Sequence, residues 1–162
     1  MSKKLFLLCP LIHGEVYLRN RFGNESFFMT ALGSVFDFHN KAYADSLIHL
    51  LLQEDITEIF HVHDINSPLL RSIVNEEVTY NSISHQFLSE LYKENYCDII
   101  QEPNKVASLA LIHMKHQVNL FLRHPRLSAI IIENKISIQG LLSQIDKRKS
   151  IQFDIQMDFQ QL

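Results

Sequence analysis

The sequence has no tryptophan and only two cysteines, four glycines and four prolines. Each shortage excludes something. Two cysteines, Cys9 and Cys97, do not frame a chain of 162 residues with disulfides, so free thiols in a reducing, cytoplasmic compartment are expected. The scattered glycines form no phosphate loop of the dinucleotide or Walker type, and nothing else names an organic cofactor. Basic charge is scarce as well. The 15 Lys and Arg are outnumbered by 18 Asp and Glu, for a net charge of −3 with His neutral. A nucleic-acid binder needs a basic stripe to displace counterions, so no nucleic-acid partner is expected. The one basic run, Lys147, Arg148 and Lys149, reads as a solvated turn. No apolar stretch is long enough to span a membrane, and no membrane association is expected. The opening residues have two lysines before an apolar run, a little like a signal peptide. The run is short, ends at Pro10 and lacks a small-residue cleavage site, so a buried first strand explains it better.

What is present is an ordinary globular balance, 46% hydrophobic and 20% charged residues, with eleven Phe giving the core its bulk. The length suits a single domain over 1–162. The apolar run Lys4 to Cys9 predicts a buried strand, and Glu15 to Arg19 a second one. A loop is expected from Asn20 to Asn24, with Gly23 free to take a positive φ. The Phe-rich stretch Ser26 to Phe38 reads as extended and irregular, broken at Gly33. Leu47, Leu50, Leu51 and Glu54 share one face of a helix over Ala42 to Glu54. Ile56 to His63 is a strand, and Asn66, Ser67 and Pro68 open a helix to about Glu76. Helices follow over Ser84 to Asn95, Asn104 to Arg123, and from the His124-Pro125 break to about Ile132. Ile136 to Ile145 and Ile151 to Met157 are strands around a turn at Asp146 to Ser150, and Gln160 to Leu162 is a frayed end. The alternation predicts an α/β fold with a parallel-centred sheet flanked by helices.

In such folds ligands gather at the carboxyl ends of the parallel strands. One strand ends at Cys9, with His13 beyond it. Another ends in His61-Val62-His63-Asp64-Ile65-Asn66. On an extended strand His61 and His63 point the same way. Zinc takes thiolate and imidazole in a tetrahedral set, so Cys9, His61 and His63 form a candidate ligand set if the two strands are neighbours. Each residue also has a plainer reading, as a strand-end thiol or a backbone-bonded histidine. Arg19 and Asn20 are candidates for substrate contact or for pinning the loop that follows. His113 and His116, three apart on one helix, have no third ligand in view and read as helix surface or interface.

The order of these features resembles the β-class carbonic anhydrases. Cys9 stands where that family begins its Cys-x-Asp-x-Arg motif. Gly14-Glu15-Val16-Tyr17-Leu18-Arg19-Asn20 and Gly23-Asn24 are similar to its Gly-Asp, apolar, Arg-Asn-x-Gly-Asn segment. Ala44-Asp45-Ser46-Leu47 lies on the expected helix, and His63-Asp64-Ile65-Asn66 stands at its His-x-x-Cys. Asn119 to Pro125, Ile136 to Gly140 and Asp154 resemble its later turn and strands. The resemblance implies a β-carbonic-anhydrase-like fold, a homodimer or multiples of one, and zinc used to hydrate carbon dioxide.

The departures bear on function. The family holds zinc with Cys, His and Cys. Cys9 and His63 match two of these, but the third position is Asn66, whose amide is a poor ligand beside thiolate. The family's Asp and Arg are Leu11 and His13 here. Leucine can neither orient a zinc-bound hydroxide nor coordinate. The expected function is a divergent member without efficient carbonic anhydrase activity, without bound zinc, acting as a binding or assembly module. Its small-molecule substrate, if any, is unnamed. The alternative is a zinc-dependent lyase or hydrolase with rearranged ligands, Cys9 and His63 joined by His61 or His13. A third reading is a thiol enzyme with Cys9 as nucleophile and His13 as base.

Overall fold

The computed structural model describes residues 2–77 and 81–155. Fraying at Gln160 to Leu162 and the end of the last expected strand at Met157 lie outside the described residues. Five strands form one sheet in the order β2-β1-β3-β4-β5. They are Lys3–Leu8 (β1), Ser26–Thr30 (β2), Ile56–Asp64 (β3), Ser137–Gln144 (β4) and Lys149–Asp154 (β5). The first four run parallel, and β5 returns antiparallel beside β4. The expected parallel-centred α/β architecture is therefore present.

The helices are Glu15–Phe22 (α1), Lys41–Gln53 (α2), Pro68–Val74 (α3), Ile83–Glu94 (α4), Tyr96–Ile99 (α5), Lys105–Arg123 (α6) and Pro125–Glu133 (α7). Their starts follow capping chemistry. Asn40, Ser67, Ser82, Asn104 and His124 each accept a backbone N–H of the first turn. Pro68 and Pro125 sit in the first turn, where a missing N–H costs nothing. The cap of α3 is Ser67. Asn66 turns its side chain outward instead.

One sequence expectation is overturned here. Glu15 to Arg19 is the first part of helix α1, not a strand, and α1 also takes Asn20 to Phe22 out of the expected loop. Tyr17, Leu18 and Phe22 lie at helical spacing against the cluster of Phe6, Leu8, Phe60, Val62 and Leu141. Glu15 stands in the first turn and Arg19 and Arg21 in the last, which suits the helix dipole. Gly23 ends it at φ 97, the positive φ expected of it.

Side chains alternate across the sheet. Phe6, Leu8, Phe60 and Val62 face α1, with the Phe6 and Phe60 rings stacked at 5.1 Å. Leu5, Leu7 and Ile59 face the other layer, where they pack with Leu47 and Leu51 of α2, Met114, Val118 and Phe121 of α6, and Leu127 and Ile131 of α7. A further cluster joins α3, α4 and α6 through Leu69, Leu70, Leu88 and Leu109. His61 and His63 fall on the α6 side of this arrangement, each within ring contact of His113.

Candidate functional site

Strand β1 ends beside β3, with Leu7 opposite His61. Two residues further along, Cys9 leaves the sheet on the face that carries His61 and His63. The strands are therefore neighbours, as a shared site requires. Cys9 is buried, and its Sγ accepts the backbone N–H of Gly33 at 3.1 Å. Gly33 has φ 66 in the tight turn Leu32–Ser34, and a Cβ there would stand 2.8 Å from side-chain carbons of both Leu69 and Leu88. Only glycine fits this close approach of the turn to α3 and α4.

His63 Nε2 lies 2.7 Å from Nδ1 of His113, so one proton is shared between the two rings. His113 sits in the middle of α6 and is fully buried, not on a helix surface. Its signal in the sequence is a polar residue among the apolar positions of a long helix; its partner is 50 residues away, which no local pattern reveals. His61 completes a triangle. Its ring centroid is 5.4 Å from that of His63 and 5.6 Å from that of His113. Neither nitrogen of His61 has a partner at hydrogen-bond geometry, although the Ser34 backbone is near enough to act on the ring, and Nε2 of His113 has no partner. His116 is half-buried against Phe87 and stands apart from the triangle.

Burial disfavours the charged imidazolium in all three. It lowers the pKa of His61 to about 4, with the Ser34 backbone opposing in part. His63 and His113 are pushed well below the ordinary value by burial first and by their histidine neighbours second. The triangle is therefore neutral near pH 7.

The Phe-rich segment closes over this triangle. Phe36 meets the His61 ring edge-on at 6.1 Å, and Phe38 meets Phe121 at 5.1 Å. Gln117 of α6 holds the segment by accepting the Phe36 N–H at 3.0 Å. The void at His61 measures about 10 Å³, so that ring faces no open pocket there.

The remaining candidates do not join them. Asn66 donates its amide to Asp146 Oδ1 at 3.0 Å. Leu11 packs beside the cluster of Leu69 and Leu70. His13 is exposed at the left-handed end of the turn Pro10–Ile12 and makes no hydrogen bond to Cys9. Arg19 stacks its guanidinium on Phe28 at 5.2 Å, a structural contact, while Asn20 lines a surface cleft. Asp64, unremarked in sequence, is the polar hub of the strand ends. It accepts from the N–H groups of Asn66 and Ile145 and from Ser143 Oγ, each at 2.8 Å. Those bonds fix the turn after β3 to the end of β4.

These residues do not fit the family's zinc. The position of the second cysteine holds an amide already bonded to Asp146, and the nitrogen of His63 facing α6 is taken by His113. Among the described residues no three His, Cys, Asp or Glu side chains are gathered so as to hold a metal ion. Nor is any described helix long and apolar enough to cross a membrane.

No family model and no curated protein matches the chain in sequence. Solved structures do match in shape. The β-carbonic anhydrase CafA of the fungal pathogen Aspergillus fumigatus superposes with a TM-score of 0.79 at 11% identity, over 98% of this chain and 78% of that one. A tetrameric β-carbonic anhydrase of Sordaria macrospora gives 0.78 at 8% identity, over 94% and 80%. A Coccomyxa β-carbonic anhydrase in complex with acetazolamide gives 0.73 at 10% identity, over 94% and 72%. The fold of this chain is that of the β-carbonic anhydrases.

Proposed function

We propose that this chain keeps the β-carbonic anhydrase fold without efficient carbon dioxide hydration and acts as a binding or assembly module. The observation that carries the reading is that Asn66 stands where the family has its second cysteine, with its amide bonded to Asp146 Oδ1. The family-matching His63 is itself hydrogen-bonded to His113. Carbon dioxide hydration on zinc relies on a bound water whose pKa falls to about 7, and on an open position for it. The void beside His61, about 10 Å³, has no room for a water and a substrate at that ring. The Leu11 replacement points the same way. Self-association as a homodimer is part of the proposal, supported by the tetramer named for the Sordaria macrospora enzyme.

The test is stopped-flow carbon dioxide hydration on untagged protein, with zinc content measured on the same sample. A rate near the uncatalysed one, with zinc well below one per chain, is expected. Hydration at the rate of a working zinc enzyme, lost in Cys9→Ala, overturns the reading. Light scattering on the eluting peak tests the homodimer.

One observation favours the second reading, a lyase or hydrolase with rearranged ligands. Both nitrogens of His61 are buried without a partner, as is Nε2 of His113. A buried unmet nitrogen costs about 1–3 kcal/mol, and a bound metal would relieve that. The ligands would then be His63 and His61 with Cys9, which are not gathered as a metal site in this structure and would have to draw together on the ion. About one zinc per chain, lost in both His61→Ala and His63→Ala, decides for it.

A further inference from the structure

The basic run at Lys147 to Lys149 is exposed, as a solvated turn requires, and part of it also lines a cleft. Arg148 and Lys149 line a cleft of about 540 Å³ together with Arg21 of α1. Arg21 and Arg148 also line an adjoining cleft of about 480 Å³, with His13 and Asn20. Both clefts lie at the carboxyl ends of the parallel strands, where Ile65 follows β3 and Gln144 ends β4. Ligands of open α/β sheets bind at such ends.

The charge at this place is one-sided. Among the described residues, no Asp or Glu lines either cleft. Among the described residues, Arg21, Arg148 and Lys149 make no ion pair, although acidic residues outnumber basic ones in the chain as a whole. Cations kept close together without a carboxylate create a positive potential that an anion would relieve. The bases are also placed. Arg21 lies over the Phe22 ring at 5.5 Å. Arg148 is held at φ 51 by its N–H to the Ile145 carbonyl. Tyr17 Oη and Ser150 Oγ, 2.8 Å apart, tie α1 to the start of β5 across the two clefts.

The larger cleft has an apolar side as well. Ile65, Leu142 and Ile151 line it, and Ile151 is 70% exposed on the edge strand β5. Guanidinium groups match the oxygens of phosphate or carboxylate in a fork geometry. We propose that the cleft between α1 and β5 binds a small organic phosphate or carboxylate. Its anionic group sits between Arg21 and Arg148, and its apolar body lies on Ile65, Leu142 and Ile151. If the protein is the binding module proposed above, this is the chemical class of its ligand.

Calorimetric titration of the full chain with phenyl phosphate, benzoate, inorganic phosphate and phenol tests it. Saturable binding of phenyl phosphate or benzoate is expected, with the stronger of the two naming the anion. Inorganic phosphate should bind at least about tenfold more weakly, and phenol not measurably. Arg21→Gln and Arg148→Gln should each weaken the favoured probe by about tenfold or more, while Lys115→Gln on the outer face of α6 changes nothing. No saturable binding of either aromatic anion at about 10 mM overturns the proposal, and so does binding that survives both arginine variants. Zinc content and carbon dioxide hydration on the same sample judge the binding-module reading separately, because neither cleft includes Cys9 or His63.

Discussion

His63 at the end of β3 and His113 in the middle of α6 share one proton across 2.7 Å, in a place where neither ring meets solvent. The bond ties the central strand to the longest helix. His113→Ala removes the partner of His63 Nε2 and leaves a cavity against Phe87 and His61. An unmet buried nitrogen and an unfilled void together should cost about 2–4 kcal/mol. Urea unfolding should show a lower midpoint at an unchanged slope. An unshifted midpoint would mean that the histidine pair contributes nothing net.

Acid should loosen the same region. The folded pKa of His61 is lowered to about 4 by burial, and those of His63 and His113 well below the ordinary value. In the unfolded chain each titrates near about 6.5, so below that pH the unfolded state binds more protons. The stability held above pH 6.5 is therefore lost progressively as pH falls toward the folded values. For His61 alone the loss between pH 7 and pH 4 is about 3 kcal/mol. Denaturant midpoints measured across this range check it. His61→Phe should flatten the decline, and an equal decline in that variant would assign it to other groups.

How much of this was legible in sequence depends on the range of the interaction. Helix α2 was legible from the shared face of Leu47, Leu50 and Leu51, because helical spacing acts within one turn or two. Strands β1, β3 and β4 were legible as apolar runs. Helix α1 was not, because Glu15-Val16-Tyr17-Leu18-Arg19 alternates like a strand and its helical face shows only once Phe22 is counted. At the site, Cys9, His61 and His63 were singled out from strand ends alone. The burial and pairing of His113 and the role of Asp64 were not legible, because what defines them, a partner 50 residues away and a turn 79–81 residues away, is tertiary. Arg21 and Arg148 belong to the same class, brought together by α1 and β5.

The approach of Gly33 to Cys9 gives a paired prediction. Gly33→Ala forces a side chain into φ 66 and against Leu69 and Leu88, so it should destabilise by about 2–4 kcal/mol. Cys9→Ala removes a thiol that accepts one N–H, leaving that donor buried, and should cost about 1–3 kcal/mol. Thermal unfolding of the two variants should rank them in that order. The reverse order would show that Cys9 does more than fill its site.

Two features set this chain apart from the family's zinc site: the missing second thiolate at Asn66, and the internal bond that occupies His63. Magnitudes separate them. Structural zinc sites supply about 10–16 kcal/mol, whereas one hydrogen bond contributes about 1 kcal/mol net. The His63 to His113 bond alone therefore cannot keep zinc out once a full ligand set is present. The bond of Asn66 to Asp146 is equally expendable. Asn66→Cys should accordingly raise bound zinc to near one per chain on untagged protein, and Asn66→Cys with Cys9→Ala should abolish the gain. Carbon dioxide hydration should stay weak in Asn66→Cys, because Leu11 and His13 still stand at the positions of the family's Asp and Arg. Zinc uptake and hydration are thus separable readouts. An Asn66→Cys variant that folds, judged by its circular dichroism, yet takes up no zinc would place the obstacle in the closed packing of Phe36 over the histidines instead.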